Sequence, residues 1–295
     1  MDHVDNREEV REFLSTRRAK ITPQQAGLTA YGRNRRVSGL RREEVAMLAG
    51  VSVDYYTRLE KGNLSGVSES VLDGITTALQ LDEAEAEHLA NLARAANTTP
   101  RKAVRHRSRQ EVRPSLQRVL TSMTTSPAFI RNARLDVLAV NALGEALYAP
   151  AFADTVRPAN LARFCFLDRA AEDFYPSWSD AANTSVNLLR AEAGRHPFDR
   201  SLTELVGELS TRSAEFRTRW AAHDVRLHRS GVKQFDHPVV GRLDLSFDAM
   251  ELPGSEGLTL TAYTAEPGSA SEEKLSLLAS WAVTVDPPSV RPRPR

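Results

Sequence analysis

The chain has 295 residues, 26% of them charged, with a formal net charge of +1. Length predicts two domains, and with so even a balance only the distribution of charge is informative. A single cysteine, Cys165, excludes an intrachain disulfide framework, and no apolar run approaches the ~20 residues a bilayer span needs. The opening MDHVDNREEVREF lacks the basic flank and apolar core of a signal peptide, so the expected location is the cytoplasm.

Residues 7–20 carry Val10, Phe13, Leu14 and Arg17 at helical spacing and predict a first helix. Residues 21–39 are irregular. A second helix over 41–49, with Val45, Leu48 and Ala49 apolar, should stop at Gly50, because glycine tolerates the left-handed backbone of a helix end. Ser52 predicts the cap of a third helix through Lys61, closed by Gly62. Ser68 predicts the cap of a fourth, and Asp82 with Glu85 a capping box for a fifth. Residues 98–113 are basic and nearly devoid of apolar side chains, which is linker composition.

Beyond Pro114 the texture changes. AFIRN (128–132) and RLDVLAVN (134–141) predict paired strands with a tight turn at Asn132–Ala133. Residues 142–223 read as mostly helical. RLHRSGVKQFDHPV (226–239) predicts a hairpin turning at Ser230–Gly231. RLDLSFDAMEL and LTLTAYTAE alternate apolar with polar residues, as half-buried strands do. Ser269 and Glu272 predict the cap of a last helix through Trp281, and 284–295 read as a disordered tail. The expected organisation is an all-α five-helix domain over 1–97, a linker over 98–113, and an α+β domain over 114–283 built on an antiparallel sheet of about five strands.

The second and third helices, joined by one tight turn, have the form that presents a helix to the DNA major groove. Ala46 is small where the helices meet. Tyr56 and Leu59 face inward, leaving Ser52, Val53, Asp54, Tyr55 and Arg58 outward, toward base edges. Arg33, Arg35, Arg36, Arg41 and Arg42 crowd the approach. Cations at a helix N-terminus oppose its dipole, so phosphate contact is the better reason for them. Arg42 is expected to share in the reading, and the other four to hold the backbone or enter an adjacent minor groove. Two alternatives stay open: a helical protein-interaction adaptor that binds no DNA, and, third, an enzyme with an appended helical domain.

EEVAMLAGVSVDYYTRLEKG (43–62) resembles the helix–turn–helix of Xre/λ-repressor-like regulators, with Glu43, Glu44, Ala46, Gly50, Val51, Ser52, Leu59, Glu60 and Gly62 on the pattern. Tyr56 replaces a small aliphatic, and Arg41 stands where Ser or Thr often caps. The longer RRVSGLRREEVAMLAG, followed by PAFIRNARLDVLAVNALGEALY, is similar to the MmyB-like regulators of actinomycetes. The resemblance implies a PAS-like ligand-binding domain that senses a small apolar or fatty-acid-like molecule. Candidate wall residues are Phe129, Tyr148, Phe164, Phe166, Phe174, Trp178, Leu188, Trp220 and Phe235. Candidate polar anchors are Asn132, Arg190, His223 and His228. No catalytic, metal or cofactor motif is present: the histidines at 223, 228 and 237 have no ligand spacing, and there is no GxSxG, Walker loop or Rossmann fingerprint. A homodimer on a palindromic duplex is expected, because one module buries too little surface for high specificity.

Overall fold

The computed structural model describes residues 6–28, 37–97, 111–153, 156–196, 199–222, 230–255 and 257–285. The chain forms two compact units whose boundaries do not follow the linear division. The first comprises residues 1–108 together with 189–210 and 217–227; the second comprises 109–188, 211–216 and 228–295. The greater part of the expected linker (98–110) and most of the expected tail (286–295) lie outside the described residues.

The first unit opens with α1 (Asn6–Lys20), α2 (Arg42–Leu48), α3 (Val53–Glu60), α4 (Glu69–Ala78) and α5 (Glu83–Ala96). Val10, Phe13, Leu14, Leu40, Val45, Tyr56, Leu59, Ile75 and Leu92 close its core. The predicted caps are in place: the side chains of Ser52, Ser68 and Asp82 accept from the backbone N–H of Tyr55, Val71 and Glu85. Gly50 has φ +68°, and the N–H groups of Gly50 and Val51 donate to the carbonyls of Met47 and Ala46. That is a Schellman stop, which needs a left-handed residue at this position. A side chain at Gly74 would have its Cβ 2.6 Å from the Ala49 carbonyl oxygen, so glycine is what lets α4 lie against the end of α2.

The second unit begins with α6 (Pro114–Ser122), β1 (Ala128–Asn132) and β2 (Val137–Val140). Short helices α7 (Ala142–Leu147), α8 (Ala149–Phe152), α9 (Leu161–Leu167) and α10 (Ala170–Phe174) follow. Then come α11 (Trp178–Arg195), α12 (Arg200–Arg212) and α13 (Ala214–Ala221), which are shared between the units along the chain. The chain ends in β3 (Ser230–His237), β4 (Gly241–Glu251), β5 (Leu258–Thr264) and α14 (Ala270–Val285).

All strand pairs are antiparallel, in the order β2-β1-β5-β4-β3, consistent with the expected PAS-like sheet. Strand β1 is buried on both faces: Ala128 and Ile130 pack with Leu120 of α6, whereas Phe129 belongs to the main core with Leu147, Tyr148, Phe174 and Leu243. The hairpin turn expected at Ser230–Gly231 is not there. Those residues open β3 and pair with Asp248 and Phe247. The turn falls at 238–240, after His237, where Pro238 has no N–H to give a ladder, and before Gly241 at φ +70°.

Candidate functional site

The outward face of α3 carries Ser52, Val53, Asp54 and Arg58, all exposed, with Val53 46% accessible. Tyr56 and Leu59 lie fully inside. The Arg58 guanidinium sits 4.6 Å from the centre of the half-buried Tyr55 ring, so the two side chains form one stacked polar-aromatic surface. The Ser52 hydroxyl is committed to capping α3, at 3.1 Å from Tyr55 N.

The arginines preceding the motif divide into distinct roles. Arg41 is exposed, its backbone N–H donates to Glu44 Oε2 at 2.6 Å, and its side chain lies 3.2 Å from Glu43. Arg42 pairs with the buried Glu60 carboxylate, whose other oxygen takes Arg18 Nη2 at 2.7 Å. Two cations therefore satisfy one buried anion and tie α1 and α2 to the end of α3. Arg42 is still 52% exposed, so its side chain also borders the open face. Arg33, Arg35 and Arg36 lie outside the described residues.

Within the same unit a second buried ion pair is made by the last part of α11. Arg190 is fully buried and its Nη1 lies 2.6 Å from Glu9 Oε1 of α1. Its Nη2 donates to the Trp220 carbonyl, and its guanidinium stacks 4.5 Å from the Trp220 ring. Further along the helix, Arg195 Nη2 meets Glu87 of α5 at 2.7 Å. Arg190 is thereby engaged with both Trp220 and α1, and neither Arg190 nor Trp220 lines the cavity described next.

The second unit contains a cavity of about 280 Å³. Its floor is one face of the sheet: Phe129 and Arg131 from β1, Thr261 and Tyr263 from β5, Phe247 and Ala249 from β4, Lys233 from β3. Register explains the set. Phe129 stands opposite Thr261, Thr261 opposite Ala249, and Tyr263 opposite Phe247, so alternate residues of adjacent strands share a face. One wall comes from α11 and the residue before it: Ser177, Asp180, Ala181, Thr184, Ser185 and Leu188 recur at helical spacing.

Lys233 Nζ lies 4.6 Å from the Tyr175 ring centre and 3.4 Å from the Tyr148 hydroxyl. Burial pushes its pKa down to about 8, the nearby Arg131 charge adds to the fall, and Cys165 opposes it. Tyr148 and Tyr263 share a hydrogen bond of 2.6 Å; burial pushes Tyr263 up to about 12 and raises Tyr148 as well. Both phenols therefore stay neutral across the physiological range.

Of the expected wall residues, Phe129, Tyr148 and Leu188 line the cavity. Phe174 and Phe235 lie beneath it in the core, in ring contact with Tyr148. Phe164 packs on Phe174 and Tyr175, Phe166 on Trp178 and Phe216, and Trp178 Nε1 donates to the Cys165 carbonyl. Asn132 is spent on the β1–β2 turn: its amide donates to Asp136 and its carbonyl accepts from Arg134 and Asp136 N–H groups. His223 and His228 lie outside the described residues. Sequence reasoning passed over Arg131 and Lys233 because each is a lone cation in a strand. The sign was there: Phe129-x-Arg131 and Lys233-x-Phe235 each place a charge on the same strand face as a core aromatic.

Among the described residues no helix is long and apolar enough to cross a membrane, and no cluster of metal-ligating side chains occurs. Compared with known families, residues 112–278 match the MmyB-like transcription regulator ligand binding domain, and residues 17–89 match a helix-turn-helix domain. Compared with the curated proteins, the chain has no match.

Proposed function

The chain belongs to the MmyB-like transcription regulators, DNA-binding proteins with a ligand-binding domain, and from that premise we propose that a small molecule held in the cavity tunes its grip on duplex DNA. The outward face of α3 enters the major groove. Val53, Asp54, Tyr55 and Arg58 meet base edges, with Asp54 accepting from a cytosine amino group and Arg58 donating to guanine. Arg41 and the open side of Arg42 hold phosphates, joined by Arg33, Arg35 and Arg36. Two copies on a palindrome supply the contact area that one head lacks.

The observation that carries the tuning is the single helix α11. Its first part lines the cavity through Asp180, Thr184, Ser185 and Leu188. Its last part is fixed into the helical unit through Arg190–Glu9 and Arg195–Glu87. A packed helix responds to a filled pocket by discrete shifts, because close-packed interiors do not deform continuously. A ligand that favours one position of α11 therefore changes the population of DNA-competent heads. DNA affinity measured by fluorescence anisotropy, on a duplex selected from a randomised pool, tests the reading. Specific binding that changes when a cavity ligand is added is expected. Absence of DNA binding at low salt would favour the adaptor alternative.

A further inference from the structure

Burying a cation without a counter-ion is costly, and proteins otherwise pair such groups or let them lose their charge. Lys233 is partly buried, lines the cavity, and makes no ion pair with any described residue. Its contacts are the Tyr148 hydroxyl at 3.4 Å and the rings of Tyr175, Tyr148 and Phe235 at 4.6, 5.8 and 5.7 Å. Arg131, 8% exposed, lines the same cavity and adds a second positive charge. Asp180 is the only acid among the described lining residues, and it is exposed at the first turn of α11. The interior field therefore favours an anion.

The body of the ligand is set by the rest of the wall. Five rings line the cavity, those of Phe129, Tyr148, Tyr175, Phe247 and Tyr263. Phe129 and Tyr148 meet edge to face at 5.4 Å, and Phe247 and Tyr263 meet tilted at 6.2 Å. Offset and edge-on ring arrangements accept another planar ring well, because positive edges meet negative faces. A cavity of about 280 Å³ is at the low end for small-molecule sites, which suits a compact ligand.

We propose that the cavity takes a small aromatic carboxylate, its ring among the five aromatic side chains and its carboxylate on Lys233, with Arg131 supplying further positive potential. This rests on the ligand-sensing reading above and narrows it from the apolar or fatty-acid-like class that the family resemblance implies. The tyrosine hydroxyls and Thr261 donate to whichever carboxylate oxygen Lys233 leaves free. A neutral analogue loses the charge-assisted bond, and a saturated chain loses the ring contacts.

Calorimetric titration of the 295-residue chain with phenylacetate, cinnamate and indole-3-acetate, with their amides and with dodecanoate, tests this. Binding by at least one aromatic acid is expected, at least tenfold tighter than its amide. Lys233→Met should weaken that acid tenfold or more with an unchanged near-ultraviolet spectrum. Should that variant not fold, the wild type still decides. If only the charged lysine binds and its pKa is about 8, affinity should fall about tenfold between pH 7 and pH 9. Binding of dodecanoate with no aromatic acid overturns the class and leaves ligand sensing standing. Equal binding of acid and amide, or a flat pH profile, overturns the role of Lys233. No binding by any compound overturns both.

Discussion

Arg190 Nη1 lies 2.6 Å from Glu9 Oε1, with the arginine side chain wholly inaccessible and the carboxylate 6% exposed. The pair joins positions 181 residues apart in the sequence, the first helix and the last part of α11. Removing one member of a buried pair costs about 3–5 kcal/mol; His88 Nε2 also lies 3.6 Å from Glu9 Oε1. Glu9→Gln and Arg190→Met should each lower urea stability by about that amount. The double variant should lose clearly less than the sum. Additive losses would mean that the pair is not coupled.

The same contact carries a functional expectation. An Arg190→Met protein that remains folded should still bind DNA and still bind cavity ligand, since neither surface includes Arg190. Ligand should then change DNA affinity by less than about twofold, a coupling well under the 1–3 kcal/mol typical of linked sites. A full ligand response in this variant would show that signalling runs by another route.

Arg58→Ala should relax sequence preference by about 1–3 kcal/mol at the bases it reads, measured by competition with single-base operator variants. Glu60→Gln acts differently. It removes the buried charge that Arg18 and Arg42 share, so stability should fall while the preference of any protein that folds is kept. Ser52→Ala removes the α3 cap and should cost about 1 kcal/mol of stability.

Lys233 also sets a pH dependence in the unliganded protein. Its folded pKa is near 8, against the ordinary 10.5 of a solvated lysine, which holds in the unfolded chain. Between those values the unfolded chain binds more protons, so stability should rise with pH from about 8. The charges acting on it are those of Cys165 and of Arg131 on β1; Tyr148 and Tyr175 touch it, and Tyr263 on β5 and Asp180 line the same cavity. Above about pH 10 the tyrosines, raised by burial, reverse the trend, because the unfolded chain then loses protons first. Urea midpoints across about pH 7–10 should climb above pH 8 in the wild type and stay flatter in Lys233→Met.

The helical head was legible because its signals are local. Ser52, Ser68, Asp82 and Gly50 each act within one turn of helix, and apolar spacing marked the core. The sheet was legible from alternation except at one turn: Ser230–Gly231 reads locally as a hairpin, yet these residues open β3 and the chain turns at 238–240. The cavity was legible only in part. Phe129 and Tyr148 were found as aromatics and Leu188 as an apolar residue, but the rest of the α11 wall is a stripe of Ser, Asp, Ala and Thr, a polar pattern that resembles a solvated face. Arg190 looked like a ligand anchor because the partner that claims it, Glu9, is 181 residues away. Nothing local encodes that pairing. The same distance hid the division of α11–α13 between two compact units.

All of this depends on the exposed face of α3 reading duplex DNA. Fluorescence anisotropy of the wild type and Arg58→Ala on a selected duplex, across about 50–200 mM salt, tests it most directly; a loss of ~10³–10⁵ sets the scale for 6–10 phosphate contacts. Linear loss of log affinity with log salt is expected in both proteins, with loss of sequence preference in the variant alone. No binding at the lowest salt, or an unchanged preference in Arg58→Ala, would contradict it.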